Sequence, residues 1–324
     1  MEDATAPGSV LATGQTTCWD EFGRPIPCSQ TGQDGELRPG LPWPEPRFEV
    51  SGELVRDRLT GLDWLRDANP FEWPLDWKEA RQAVAALCVG DHGGWRLPNR
   101  RELWSLVSFA NSDPALQSGH PFGNVHLGWY WTSTTAARNR AYAWAVQLTG
   151  GRVFFEGKER GAFVWPCRGT SPVLAAPSDP AISPSRTSAE EVPTWPRPRF
   201  RAMGEVVEDR LTGLQWARRA DLTRGAVLWS AALGAVRDLN RDRPGTARWR
   251  LPTIAELESL LDASRCDPSL SDGHPFEAVG GGYWSSTTSA FEPDWAMVLH
   301  LGRGAIGVGI KRDPRYLVWP VSGP

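Results

Sequence analysis

Apolar and polar positions along the chain fall into one pattern that occurs twice. In the first copy Val55, Leu59, Leu62 and Trp64 flank an Asp57/Thr60/Gly61 turn; in the second, Val207, Leu211, Leu214 and Trp216 flank Asp209/Thr212/Gly213. Each set predicts a strand, a tight turn and a second strand. Apolar residues then recur at helical spacing: Trp77, Ala80, Val84 and Leu87, and again Trp229, Ala232, Leu233, Val236 and Leu239. A second helix is predicted from Asn99 and from Thr253. Both are N-cap residues with a glutamate three positions on, Glu102 and Glu256, and the proline just before them blocks extension backwards. Leu103, Leu106 and Val107, and Leu257, Leu260 and Leu261, give that helix a one-sided apolar stripe. A Gly-His-Pro-Phe turn follows at 119–122 and 273–276. Beyond it come Tyr130-Trp131-Thr132-Ser133-Thr134-Thr135 and Tyr283-Trp284-Ser285-Ser286-Thr287-Thr288. Tyr142, Trp144, Val146 and Leu148, like Trp295, Met297, Leu299 and Leu301, then alternate with smaller or polar residues, the period of a strand with one buried face. A closing strand is predicted at Val164-Trp165-Pro166 and at Val318-Trp319-Pro320.

Strands at both ends with two helices between them predict an α+β domain, used twice, each copy holding two helices and a small, mostly antiparallel sheet. A length of 324 residues accommodates two such domains. The expected boundaries are an arm at 1–46, rich in Cys, Pro and Gly, a first domain at 47–169, a Pro/Ser-rich linker at 170–198 of partly polyproline character, and a second domain at 199–324. The arm is expected to lie against the first domain.

Composition narrows the function. A net charge of -3 and a pI near 6.0 leave no basic footprint for nucleic acid, and no apolar run approaches the roughly 18 residues of a membrane span. No nucleic-acid partner and no membrane insertion are therefore expected. The first eight residues are polar and acidic and lack the pattern of a secretory signal, so the argument for export rests on the cysteines. Cys18 and Cys28 stand in a segment too poor in apolar residues to fold alone, where a disulfide is most useful. No second cysteine pair completes a zinc site, and neither metal nor cofactor is expected.

The motifs Asp-x-Leu-Thr-Gly-Leu-x-Trp, Trp-Arg-Leu-Pro-x-x-x-Glu-Leu, Tyr-Trp-(Ser/Thr)-Ser-Thr-Thr and Val-Trp-Pro, in this order in both copies, resemble the Lcl C-terminal domain family. The segment Thr13-Gly14-Gln15-Thr16-Thr17-Cys18 also resembles arms found in front of that domain. The resemblance implies two tandem C-type-lectin-like domains in an exported binding protein of the cell surface, extracellular or periplasmic. It also implies a disulfide between Cys88, at the end of the first helix, and Cys167 on the closing strand, elements that such a fold ties together. Asn240 and Val321, the aligned residues, have lost both cysteines together. Cys266 is left free. Arg-Leu-Pro-Thr before an acidic helix is similar, too, to formylglycine-generating oxidases, the alternative function. That chemistry needs a pair of reactive cysteines in the C-terminal half of the domain, and the second copy has only Cys266.

Among 18 tryptophans, six pairs recur at equivalent places, Trp64/Trp216, Trp77/Trp229, Trp95/Trp249, Trp131/Trp284, Trp144/Trp295 and Trp165/Trp319, and are expected in the cores. Trp73, Trp104 and Trp129 lack counterparts and are freer to meet a ligand. Glu102 and Glu256, with Arg96 and Arg250, are read as structural caps, and His120 and His274 as turn residues without a second ligand for metal or a nucleophile to serve. Glu292-Pro293-Asp294 departs from the calcium motif of sugar-binding lectins and is not read as a metal site. No catalysis is expected. The copies diverge most between the Tyr-Trp motif and Val-Trp-Pro, and ligands are expected there: on Trp129, Arg138, Asn139, Arg140, Tyr142, Arg152 and Lys158, with Glu156 and Arg160 beside them, and on Phe291, Glu292, Asp294, His300, Arg303, Lys311, Arg312 and Arg315. Arginine beside aromatics suits acidic or sulfated glycans, or a protein surface. The function expected is a non-catalytic adhesion or ligand-binding protein with glycan or protein partners, or else a structural subunit of a surface assembly.

Overall fold

A computed structural model describes residues 10–174, 195–242 and 248–323. The chain divides into two compact units, Trp43–Trp195 and the discontinuous pair Met1–Pro42 with Pro196–Pro324. Most of the expected polyproline linker lies outside the described residues.

The arm contributes a two-stranded ribbon, β1 (Cys18–Trp19) and β2 (Pro25–Ile26), and a single helical turn, α1 (Asp34–Leu37). Cys18 and Cys28 are bonded across the ribbon, with Cα atoms 5.2 Å apart. Contrary to expectation, the arm packs against the second copy and not the first. The cause is polar. The Gln15 side-chain amide pairs with the N–H and C=O of Thr288, and the Asp34 carboxylate accepts from Thr287, so the arm's buried polar groups find their partners there.

The first copy opens with the meander β3 (Phe48–Ser51), β4 (Leu54–Asp57) and β5 (Leu62–Leu65). Helices α2 (Trp77–Ala86) and α3 (Arg100–Trp104) follow, then the antiparallel strands β6 (Trp129–Thr135), β7 (Tyr142–Gln147) and β8 (Val153–Gly157). Strand β9 (Cys167–Arg168) returns to pair with β5. The second copy repeats this order with β10 (Phe200–Met203), β11 (Val206–Asp209), β12 (Gln215–Ala217), α4 (Trp229–Asp242), α5 (Ile254–Ser259), β13 (Tyr283–Thr288), β14 (Trp295–His300), β15 (Ala305–Ile310) and β16 (Val321–Ser322).

The α+β, two-helix, C-type-lectin-like expectation is overturned, because strand outweighs helix, 30% against 13%. The second helix of each copy is a stub. Its capping box forms as predicted, but α3 ends at Trp104, so Leu106 and Val107 lie beyond it as buried turn residues. The closing strands also begin later than Val-Trp-Pro: proline has no N–H for a ladder, and pairing starts at Cys167 and Val321.

One buried ion pair in each copy ties the meander to its stub helix. Asp57 accepts from Arg47 Nε and Nη2, both at 3.0 Å, from Leu59 N–H and from the Thr60 hydroxyl, while Arg47 reaches the Ser105 carbonyl at 2.8 Å. Arg199, Asp209 and Ser259 repeat the arrangement. The Asp-x-Leu-Thr-Gly motif is thus a cradle for one arginine.

Aromatic packing fills the rest. Phe122 stands edge-on to Trp165 at 4.8 Å, with Trp64 and Tyr130 around the same indole; Phe276, Trp319, Trp216 and Tyr283 form the equivalent cluster. The Gly-His-Pro-Phe turn is therefore a core plug, and burial lowers the pKa of both its histidines. Five of the expected tryptophan pairs are buried as equivalents, whereas the register matches Trp144 with Met297 and Trp295 with Tyr142, so Trp144 and Trp295 are not counterparts and Trp295 is only half-buried. Trp104 is buried as well, its indole donating to the Gly151 carbonyl, which withdraws it as a ligand residue.

Cys88 and Cys167 are not bonded. Cys88 is exposed beyond α2, whereas Cys167 is fully buried between Trp64 and the Arg96 backbone, where burial drives its thiol pKa up. Asn240, aligned with Cys88, hydrogen-bonds both N–H and C=O of Trp249, so this position serves the Trp-Arg loop. Cys266 is unbonded.

Candidate binding surface

The Tyr-Trp-(Thr/Ser)-Ser-Thr-Thr strand is two things at once. Its first half is core: the Trp131 and Trp284 indoles donate to the Leu75 and Val227 carbonyls at 2.8 Å. Its second half leaves the regular ladder, with the register shifting between Trp131 and Thr135 and between Trp284 and Thr288. The freed hydroxyls bind locally. Thr132 and Ser285 donate to the Trp144 and Met297 carbonyls, and Thr134 and Thr287 accept the first N–H of the stub helix at 3.0 Å. The bulge also leaves the N–H and C=O of the last threonine facing away from the sheet.

Beside that threonine stands a lysine over a tryptophan. Lys158 Nζ lies 4.0 Å from the Trp77 ring and donates to the Thr135 hydroxyl; Lys311 Nζ lies 4.2 Å from the Trp229 ring. In the second copy the arm closes over this corner. Lys311 donates to the Asp20 and Pro293 carbonyls, Gly23 fits against Pro293 and Asp294 where a Cβ would come within 2.8 Å of the Asp294 nitrogen, Arg237 donates to the Gln30 carbonyl, and Arg312 lies over Phe22. Burial pulls the Lys311 ammonium down to about 7 against the opposing pull of Asp20 and Asp294. Burial likewise pushes the Asp34 carboxyl up to about 6, although Thr287 and Thr13 both donate to it.

Strand register divides the residues expected to bind ligand. Tyr142 pairs with Gly157, so the start of β7 and the end of β8 meet, bringing Arg138, Asn139, Arg140, Tyr142 and Lys158 to one end of the sheet, with Glu156 and Arg160 alongside. Val146 pairs with Val153, which puts Arg152 at the other end with Trp129, roughly 15 Å away at the usual rise per strand residue. Trp129 is half-buried against Phe154. Phe291, Glu292, Asp294, Lys311 and Arg312 share one end of the second copy, His300 and Arg303 the other, and Arg315 lies beyond, ion-paired with Asp313. Asn139 is occupied within its turn, accepting from Ala141 N–H. Arg138, Arg140 and Tyr142 are exposed, as is Phe291, whereas Lys311 is fully buried beneath the arm. Neither Gln15, Asp34 nor the Thr-Thr pair was singled out from sequence. The motifs were visible on both sides, but their meeting spans 273 residues.

The Lcl C-terminal domain family matches residues 53–168 and 205–322, two tandem copies that begin after Arg47 and Arg199. Comparison with functionally described proteins found no match to the chain. Among the described residues no helix is long and apolar enough to cross a membrane. The family and the Cys18–Cys28 bridge are consistent with an extracellular or periplasmic protein. With both copies matched over most of their length and all four motifs placed in equivalent structural roles, the chain belongs to the Lcl C-terminal domain family.

Proposed function

We propose that this chain is an exported, surface-associated, non-catalytic protein that binds glycan or protein partners through the loop ends of its two copies. The supporting observation is that one rigid frame, with the same indole hydrogen bonds, arginine cradle and capped stub in each copy, presents different residues at the same sheet end. Arg138, Arg140 and Tyr142 stand exposed in the first copy; Phe291, Glu292 and an arm-covered Lys311 stand there in the second. Binding groups displayed on loops of a fixed scaffold are the usual way such frames acquire distinct ligands.

The test is a glycan array together with capture from the native cell surface, using the full chain and a variant with Arg138, Arg140 and Tyr142 replaced by alanine. Loss of a specific ligand in the variant supports the reading. Binding that is unchanged, or no specific ligand on either platform, rejects it.

A further inference from the structure

We infer that the exposed sheet end of the first copy docks an acidic, extended polypeptide segment of a partner, held as the chain's own arm is held on the second copy. This rests on the binding-protein reading above and names its site and partner class. In the second copy the outward N–H and C=O of Thr288 grip the Gln15 amide at 2.9 and 2.8 Å, and the Thr287 hydroxyl donates to the Asp34 carboxylate at 2.6 Å. The first copy presents the same groups. Thr134 accepts the Arg100 N–H as Thr287 accepts that of Ile254, and Ala136 N–H bonds the Tyr142 carbonyl as Ser289 N–H bonds that of Trp295, which turns Thr135 outward like Thr288. The register shift between Trp131 and Thr135 turns the Thr135 N–H and C=O outward, with the Thr134 hydroxyl accepting from Arg100 beside it. A β-bulge that exposes an amide pair beside a hydroxyl is a ready polypeptide clamp.

Charge specifies what the clamp takes. Leu233 and Pro293, which touch the arm at Gly32 and Gly23, are replaced in the first copy by Arg81 and Arg140, and Phe291 by Arg138; all three arginines are exposed. Arg81 lies over the Trp77 ring at 4.7 Å, on the indole that also carries Lys158. Around this strand end Asp76, Glu79, Glu156 and Glu159 are set against Lys78, Arg81, Arg138, Arg140, Lys158 and Arg160, which leaves the rim net basic. The arm supplies Asp20, Glu21, Asp34 and Glu36 from its own side, the kind of residues that such a rim favours more strongly still. The occupant of the clamp in the second copy is itself a polypeptide, a Gln15 side-chain amide set beside the Asp34 carboxylate, and that pairing is the template for the partner.

The probe is a fluorescein-labelled peptide of Glu-Gln-Gly repeats, titrated into the full chain by anisotropy, with amide NMR shifts followed in parallel and a heparin fragment as the second ligand. Saturable peptide binding is expected, with the Thr135 amide among the largest shifts. Replacing Arg81 and Arg140 together by alanine should weaken it about tenfold, the effect of two exposed ion pairs, while Arg152→Ala at the opposite end leaves it within about twofold. The inference is overturned if the peptide does not saturate, if Arg152→Ala is as damaging, or if heparin shifts Thr135 and the peptide does not. Specific capture from the cell surface without movement at Thr135 would reject this site and leave the proposed function standing; failure of that capture would reject the proposed function itself.

Discussion

Asp34 of the arm accepts a hydrogen bond from Thr287 across 253 residues of chain, and both groups are fully buried. One carboxylate oxygen also takes the Thr13 hydroxyl, while the other is buried without a partner. Ionising such a group costs free energy, which is why its pKa stands at about 6 and not 3.8. A raised carboxyl pKa contributes stability below the unfolded value that is lost as pH rises through the folded one. The second unit should therefore lose about 2 kcal/mol between pH 4 and pH 7 through this group alone. Denaturation of Asp34→Asn should show a flattened pH dependence in that window; an unchanged slope would mean that the carboxylate is better solvated than its surroundings indicate.

Lys311 titrates in the opposite sense. Its folded pKa is lowered from 10.5 to about 7, so it contributes stability above the unfolded value that is lost as pH falls toward the folded one. Lys311→Met keeps the stem over Trp229 and removes the charge. The variant should lose the dependence of stability on pH between 7 and 10 while the arm stays docked, as read by limited proteolysis of the 18–28 ribbon.

Breaking either arginine cradle leaves a buried, unpaired aspartate. Arg47→Ala should destabilise the Trp43–Trp195 unit by about 3–5 kcal/mol, and Arg199→Ala should do the same to the other unit. The exposed Arg56–Asp63 pair is the control, worth about 1 kcal/mol or less. Thermal unfolding followed separately in each unit measures both; equal melting shifts for Arg47→Ala and Arg56→Ala would contradict the burial argument.

Alkylation without reductant should label Cys88 in the native chain and reach Cys167 only after unfolding, with Cys18 and Cys28 blocked throughout. Replacing both bridge cysteines by serine should loosen the arm, since closing a loop of this length contributes roughly 3 kcal/mol. Mass spectrometry of the labelled peptides decides the first point, and protease sensitivity of the arm decides the second.

Much of the frame was legible because it is written in local periodicity. The capping boxes at Asn99 and Thr253, the alternation from Tyr142 and Trp295, and five of the six tryptophan pairs lie where the pattern put them. Strand β8 was harder to see, because Val153-Phe154-Phe155-Glu156-Gly157 has apolar residues on both faces and so shows no alternation. The partners of Asp57 and Asp209 were hidden differently: Arg47 and Arg199 sit in repeated Pro-Arg-Phe triplets, a signal too short to stand out from a Pro-rich stretch. The candidate surface was legible only in part, since side chains at 138–142 are marked by divergence, whereas the Thr135 amide is made available by a bulge that no residue type announces. The arm's choice of the second copy rests on contacts with no local trace at all.

That choice has a kinetic side. Residues are joined at roughly 5–20 per second during synthesis, so the arm waits on the order of ten to fifty seconds after Asp34 is made before Thr287 exists. Once its closing strand at Cys167–Arg168 has been made, the first copy offers its own completed Thr134–Thr135 pair well before Thr287. Arg81 and Arg140 stand there where the second copy has Leu233 and Pro293, so the close-fitting seat for Gly32 and Gly23 is complete only once the second copy has been made.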